Sequence, residues 1–174
     1  SRDAFNLFHW FRFVKFFNDN IGLTMGIARR QNIDNLNRYT PFNSNEVHKL
    51  RRAVISLVKR HRKTKTSGNK LIRDLSISGE KYRAFNYNHR NTFEMRFFGG
   101  SLVEKHFKSK IEYIQAVYEL TKAGSSSGLK LSDFLNHVKR NKRRFKFLNI
   151  VLNTNRMKTA LQYPKAINKQ LNLR

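Results

Sequence analysis

The chain has 174 residues, enough for one domain or for one domain with an appendage. Its 36 Lys and Arg against 11 Asp and Glu give a formal net charge of +25, which predicts a polyanionic partner, nucleic acid first and a membrane surface second. The chain has no cysteine, which excludes disulfides, thiolate catalysis and cysteine-ligated zinc, and it has no run of about 18 apolar residues that would span a bilayer.

The N-terminal segment 5–17, FNLFHWFRFVKFF, carries nine large apolar side chains in thirteen residues. This pattern predicts a helix that is buried on several sides, with Arg12 and Lys15 on its wet stripe. We expect Gly22 to end this helix and a short element over 23–30 to finish on Arg29 and Arg30. The chain starts at Ser1 without the features of a signal peptide, which is typical of a product of cleavage or of an engineered start.

The next predicted helix covers 44–60, where a capping pattern precedes apolar residues at helical spacing. Its other face and the residues after it are basic and contain no acid: Lys49, Arg51, Arg52, Lys59, Arg60, Arg62, Lys63 and Lys65. A solvated helix face normally mixes both signs of charge. The single-sign cluster therefore favours phosphate contact, with an ordinary solvated face as the alternative.

Two strand-like segments, 81–87 and 92–98, flank the turn-prone residues 88–91 and predict a hairpin. Because side chains alternate along a strand, Glu94 and Arg96 would lie on one face. They form either a functional acid–base pair or an ordinary surface ion pair. A further helix over 104–121 is predicted to bury the face formed by Phe107, Ile111, Ile114 and Tyr118.

The C-terminal part begins with a flexible segment at 124–128 and a helix that opens near Leu131, with Phe134, Leu135 and Val138 facing inward. From Phe134 to Arg174 there are 11 Lys and Arg and no acid. The densest cluster is predicted to contact nucleic-acid backbone: Lys139, Arg140, Lys142, Arg143 and Arg144. Aromatic residues between the bases either stack on bases or pack in the core.

The elements together predict an α+β fold. A small antiparallel sheet, the hairpin over 81–98, would pack with helices near 5–17, 44–60 and 104–121, followed by a basic helical extension. An incomplete sheet of this kind would expose an unpaired edge, so we expect other protein chains to complete it.

The ordered set Ser1-Arg2-Asp3-Ala4-Phe5, Ala28-Arg29-Arg30, 81–86 (KYRAFN) and 91–102 (NTFEMRFFGGSL) resembles the amidoligase family of phages and mobile elements. That family is similar in fold to glutamine synthetase. The resemblance implies ATP-dependent joining of a carboxylate to an amine, with Mg²⁺ and ATP as cofactors. It implies that Glu94 is a metal ligand and that Arg29, Arg30 and Arg96 face phosphates.

The domains that follow from the resemblance are an amidoligase-like C-terminal half-domain over 1–123, a hinge over 124–128 and a basic extension over 129–174. The family's earlier metal-binding acids and histidines have no counterpart here, and one Glu would bind Mg²⁺ weakly. We therefore expect no cofactor for this chain by itself, with Mg²⁺ and ATP required only in a complete ligase.

The first functional prediction is a basic structural or scaffolding protein that binds nucleic acid in a phage particle or an intracellular ribonucleoprotein and is not secreted. The alternative is the C-terminal piece of a processed or split carboxylate–amine ligase. A third possibility is a membrane-surface or protein-docking module that uses segment 5–17.

Overall fold

The structure is a computed structural model that describes residues 7–29, 52, 55, 56, 59, 85–86, 94–123 and 129–162. About 75% of these residues are helical. The chain divides into two compact units, one formed by Ser1–Asn18 and Asn32–Arg96 and the other by Asp19–Gln31 and Phe97–Arg174. Residues on both sides of the predicted hinge belong to the second unit, while 124–128 lie outside the described residues.

Six helices and two very short strands have defined bounds in the described part of the chain. They are α1 Leu7–Asp19, α2 Ile21–Ala28, β1 Phe85–Asn86, β2 Glu94–Met95, α3 Glu104–Ala123, α4 Leu131–Arg140, α5 Lys146–Leu152 and α6 Asn155–Gln162. Arg52, Ile55, Ser56 and Lys59 are also helical, as expected for the helix over 44–60, whose other residues lie outside the described ones.

The predicted α+β fold is wrong, because the described residues are mainly helical and contain no sheet layer. Among the described residues of 81–98, the antiparallel pairing joins Phe85 with Met95 and Asn86 with Glu94. The expected second strand ends at Met95, before residue 98, and Gly99 bonds outside the hairpin. The Gly99 N–H donates to Ala28 O (3.1 Å), and Gly99 O accepts from Lys110 Nζ.

The first unit has an aromatic core built on α1. Trp10, Phe13, Phe16 and Phe17 are buried, as the apolar segment 5–17 predicts. Phe85 of β1 packs edge-on against Phe17 and Trp10, with ring centroids 5.6 and 6.3 Å apart. Offset and edge-to-face ring contacts of this kind add stability beyond the area that they bury.

The short helix α2 belongs to the second unit and is buried along nearly its whole length. The helical backbone is interrupted at Asn20, between α1 and α2. Gly22 therefore does not end a helix as predicted but lies buried inside α2. Thr24 Oγ1 donates back to Asn20 O (3.0 Å) and lies 2.8 Å from the hydroxyl of Tyr113 on α3. Since the Thr24 proton is directed to Asn20, the Tyr113 hydroxyl donates to Thr24.

Helix α3 packs against α2, α4 and α5 and supplies the centre of the second unit. Its buried side chains are Ser109, Lys110, Tyr113, Ala116, Val117 and Thr121. The predicted inward face was therefore wrong: Phe107 and Ile111 are 57% and 52% exposed. The ring of Tyr113 meets Phe134 of α4 edge-on at 5.5 Å, so α3 and α4 pack through Tyr113 rather than through the predicted apolar stripe.

Helices α4 and α5 pack against each other and against α3, and α6 packs against α2 and α5. Phe134 and Val138 face inward as predicted. Helix α5 has no side-chain cap of its own and no acid in its first turn. Glu112 of α3 replaces both, because its Oε2 accepts the Leu148 N–H at 2.7 Å. A carboxylate at this end also interacts favourably with the helix dipole.

Replacing Tyr113 with Phe removes the hydrogen bond to Thr24 and should lower the free energy of unfolding by about 1 kcal/mol at neutral pH. Burial raises the pKa of Tyr113, so above about pH 10 the unfolded chain releases a proton that the folded chain keeps. Wild-type stability should therefore fall with rising pH more steeply than that of Tyr113→Phe. Urea unfolding of both proteins at a series of alkaline pH values measures this, and equal slopes for the wild type and Tyr113→Phe would contradict it.

Replacing Glu112 with Ala should lower the free energy of unfolding by about 1 kcal/mol, since the first turn of α5 loses its acceptor. Glu112→Gln keeps an acceptor oxygen and should lose less. Urea unfolding compares these variants with Glu104→Ala, which removes an exposed acid of the same helix. Equal losses in the Ala and Gln variants would contradict the capping role.

Candidate nucleic-acid interface

The predicted basic cluster 139–144 forms the end of α4 and the turn that connects it to α5. We call residues 139–144 the basic turn. Two buried side chains hold its ends, Val138 and Phe145, each 1% exposed. Between them, the five basic side chains are exposed: Lys139, Arg140, Lys142, Arg143 and Arg144. The fold thus fixes the backbone of the turn and directs its charges to solvent.

Asn141 sets the conformation of the basic turn. Its backbone N–H donates to His137 O at 3.1 Å, and its side-chain Nδ2 donates to the same oxygen at 2.9 Å. Asn141 O in turn accepts the N–H groups of Arg144 and Phe145, both at 3.0 Å. The carbonyls of His137 and Val138 near the end of α4 are therefore satisfied by the backbone and by an uncharged side chain, without a basic side chain.

Four of the five bases have no counter-charge within the part of the chain that the structure describes. Among the described residues, Lys139, Arg140, Lys142 and Arg143 make no ion pair, hydrogen bond or ring contact through their side chains. Cations at a helix C-terminus are favoured by the helix dipole, which gives Lys139 and Arg140 a structural role. Lys142 and Arg143 lie beyond the helix, so the dipole does not explain them.

Arg144 is the exception, because Glu119 of α3 neutralises it. Arg144 Nη2 lies 2.5 Å from Glu119 Oε1, which also accepts from Gln115 Nε2 at 2.7 Å. His137 Nε2 is 3.6 Å from the other oxygen of Glu119. This acid fixes the position of Arg144 against α3. The four-residue spacing predicts the contact between Gln115 and Glu119. No local pattern predicts the pair of Glu119 and Arg144, because these residues are 25 positions apart.

The rest of the second unit is also basic. Outside the basic turn, the described residues of this unit include nine Lys and Arg and five acids. Four of those acids already serve the fold: Glu104 pairs with Lys108, Glu112 caps α5, Glu119 holds Arg144 and Asp133 accepts the Lys130 N–H at 3.0 Å. Lys108 holds the pKa of the exposed Glu104 carboxyl below its ordinary value. The acids therefore do little to offset the basic turn.

A second feature, which the sequence did not reveal, lies at the start of α5. The half-buried ring of Phe147 has two ammonium groups over it, Lys108 Nζ of α3 at 4.9 Å and Lys146 Nζ at 5.7 Å from the ring centroid. Lys146 follows the basic turn after one intervening residue, Phe145. We call Phe147, Lys108 and Lys146 the aromatic platform.

The basic cluster predicted over 49–65 is described at two positions only. Arg52 and Lys59 are helical and exposed, in the first unit. Arg51, Arg60, Arg62 and Lys63 lie outside the described residues, so their predicted phosphate contacts stay predictions.

Of the four site residues that the amidoligase resemblance implies, Glu94 and Arg96 lie in contact. Arg96 Nη2 lies 2.8 Å from Glu94 Oε2, as expected for side chains on one face of a strand, and both are partly exposed. Arg29 is the C-cap of α2 in the second unit, exposed and in the left-handed conformation with φ 56°. Arg30 lies outside the described residues. The predicted roles of all four residues stay predictions.

A magnesium site does not fit the described residues. Within them, no group of three or more His, Asp or Glu is placed to hold a metal ion. Glu94 is engaged by Arg96, and a single carboxylate leaves most of the octahedral ligands of Mg²⁺ unsupplied. None of the helices in the described ranges is both long and apolar enough to cross a membrane.

Comparison with family models finds no match for this chain, and comparisons with curated proteins and with solved structures find none either.

Proposed function

We propose that the chain binds nucleic acid through its phosphate backbone and that the basic turn is the principal contact surface. The observation that carries the proposal is the group of four exposed cations, Lys139, Arg140, Lys142 and Arg143, without a counter-charge among the described residues. The fixed ends of the turn support it further, because an ordered backbone loses less entropy when its side chains engage a ligand.

A surface evolved only for solubility would tolerate acids among its bases. Instead, the basic turn and the chain after it contain no acid up to the last residue. The described acids of the second unit that lie nearby are held by the fold, including Glu119, which keeps Arg144 in position. A polyanion relieves the resulting self-repulsion, and nucleic acid offers the highest density of phosphate charge.

The contacts proposed are to phosphates rather than to base edges. Lys142 and Arg143 lie on an exposed turn, and Lys139 and Arg140 are only the last two residues of α4. These side chains can follow a charged backbone, but they do not line a helix face or ribbon that would enter a groove. Binding should therefore depend strongly on salt and weakly on sequence. A structural or packing role in a phage particle or a ribonucleoprotein fits this kind of binding. The prediction that other protein chains complete a sheet edge stays a prediction.

The double variant Lys142→Ala/Arg143→Ala should weaken binding to a labelled DNA duplex and reduce the slope of log affinity against log salt by about 2 in magnitude, since each phosphate contact contributes about 0.9. Fluorescence anisotropy over a series of salt concentrations measures both quantities. Lys142 and Arg143 are exposed, so the variant should keep the wild-type unfolding midpoint.

The matched control is Lys122→Ala/Lys130→Ala, which removes the same charge from exposed positions elsewhere in the second unit. It should change the slope much less than the turn variant. Two results would contradict the proposal: wild-type binding that is insensitive to salt, or equal effects of the two double variants, which would indicate net charge rather than a defined surface.

A second candidate is supported by the contact between Glu94 and Arg96. In this proposal the chain is part of a carboxylate–amine ligase, as the amidoligase resemblance implies, and Arg96 binds a nucleotide phosphate. The 2.8 Å pair joins Glu94 of β2 to Arg96, which directly follows the strand, and Arg96 is the less exposed partner at 24%. An ordinary ion pair of this exposure contributes only about 0–1 kcal/mol to the free energy of unfolding. The alternative role of the Glu94–Arg96 pair is therefore minor stabilisation of the fold.

The ligase proposal predicts that Arg96→Ala weakens ATP binding at least tenfold, as measured by isothermal titration calorimetry. Lys59→Ala, which removes an exposed cation of the same unit, should leave ATP affinity nearly unchanged. Because any polyphosphate is attracted to a chain of charge +25, tripolyphosphate serves as the competitor. Equal weakening by both variants, or complete displacement of ATP by an equal concentration of tripolyphosphate, would contradict a nucleotide site.

A further inference from the structure

We infer that the second unit binds single-stranded nucleic acid more tightly than duplex, because one base of the single strand stacks on Phe147 of the aromatic platform. The inference rests on the proposed function, since it names the class of nucleic acid that the basic turn would hold. It is argued from the position of Phe147, from the cations around it and from its distance along the chain from the basic turn.

The aromatic platform has the composition of a single-strand binding site. Phe147 is only half-buried, and Lys108 Nζ and Lys146 Nζ lie 4.9 and 5.7 Å from its ring centroid. Sites that hold single strands combine an aromatic ring for the base with cations for the adjacent phosphates. A duplex keeps its base faces stacked inside the helix, so only an unpaired base can lie flat on such a ring.

The two ammonium groups can move aside for a base. Lys146 is exposed, and Lys108 is shared with Glu104, whose carboxylate lies 2.5 Å from Lys108 Nζ. Both Lys108 and Glu104 are well exposed to solvent, and ion pairs of this kind are readily exchanged. When a base takes the face of the ring, the displaced ammonium groups remain within reach of the phosphates on either side of that base.

The aromatic platform continues the basic turn. Phe147 follows Arg144 by three residues, so their Cα atoms are at most about 11 Å apart. Arg143 and Lys142 lie four and five residues before Phe147, so their Cα atoms are at most about 14 and about 18 Å from that of Phe147. A strand whose phosphates they hold can therefore extend to the ring of Phe147. The buried Phe145 fixes the backbone between the two features, and Glu112 of α3 bonds the Leu148 N–H directly after the platform.

The alternative role of the two lysines is structural, because a cation over an exposed aromatic ring adds modest stability by itself. The two roles predict different outcomes when the ring is changed. Loss of a structural contact would alter the unfolding midpoint and would affect all nucleic acids equally. Loss of a stacking surface would affect single strands and spare the duplex.

The experiment compares Phe147→Leu, which keeps an apolar side chain without an aromatic face, with Phe147→Tyr, which keeps the face. Anisotropy is measured with a single-stranded oligonucleotide and with its duplex. We expect Phe147→Leu to weaken single-strand binding about tenfold and to leave duplex binding unchanged, because stacking contributes an effect of this size per base. Phe147→Tyr should bind as the wild type does. Phe107→Leu is the matched control, since Phe107 is exposed in the same unit without a described cation over its ring.

The outcomes separate the inference from the proposed function. If Lys142→Ala/Arg143→Ala weakens binding and Phe147→Leu does not change single-strand affinity, the inference is wrong and the proposed function stands. If neither variant has an effect, the proposed function is wrong as well. Equal losses from Phe147→Leu and Phe107→Leu, or equal losses for single strand and duplex, also overturn the inference.

A second measurement does not depend on loss of affinity. Phe147→Trp places an indole at the platform, while the chain's single natural tryptophan, Trp10, is 3% exposed. Stacking of a base should quench the emission of the new indole. Quenching by the single strand and not by the duplex supports the inference, and unchanged emission at saturating single strand overturns it.

Discussion

The buried hydrogen bond between the Tyr113 hydroxyl and Thr24 Oγ1 connects two helices whose residues are 89 positions apart in the chain. It is the constraint on which the second unit depends, because it fixes which side of α3 faces inward. With Tyr113 turned toward α2 and Phe134, the stripe through Phe107 and Ile111 must face solvent. A buried tyrosine whose hydroxyl is hydrogen-bonded removes a large apolar area from water and leaves no polar group unpaired.

The same rotation of α3 places the polar residues that organise the candidate interface. Glu112 reaches the first turn of α5, and Glu119 reaches Arg144 at the end of the basic turn. Lys108, on the same helix, lies over the ring of Phe147. The basic turn and the aromatic platform are thus both positioned by α3, although almost all of their cations come from the chain after residue 138. The stability of the helical core and the presentation of charge are consequences of one packing arrangement.

Local patterns predicted some elements well and others badly. Within segment 5–17, Trp10, Phe13, Phe16 and Phe17 had to be buried, and Phe134 and Val138 had to face inward, since their spacing left no other apolar face. The sheet was wrong because tertiary context overrides strand propensity: β2 ends at Met95, and the backbone of Gly99 bonds to Ala28 and Lys110. The predicted inward face of α3 was wrong for a related reason. Phe107 and Ile111 fit helical periodicity, but periodicity does not show that the hydroxyl of Tyr113 needs a hydrogen-bond partner. The aromatic platform escaped notice because Lys108 is distant from Phe147 in sequence.

The sequence by itself determined the charge of +25, the lack of cysteine, the apolar helix near the N-terminus and the basic run at 139–144, since each depends on composition or on neighbours within one helical turn. Only the tertiary structure decided that Arg144 has a counter-charge while the other four bases in that run have none among the described residues. It also decided that Glu112 caps a helix remote from it and that Phe147 lies beneath two ammonium groups. The physical reason is that an ion pair, a cap or a ring contact between distant residues forms only after helix packing has brought them within a few ångströms, and a linear pattern does not contain that distance.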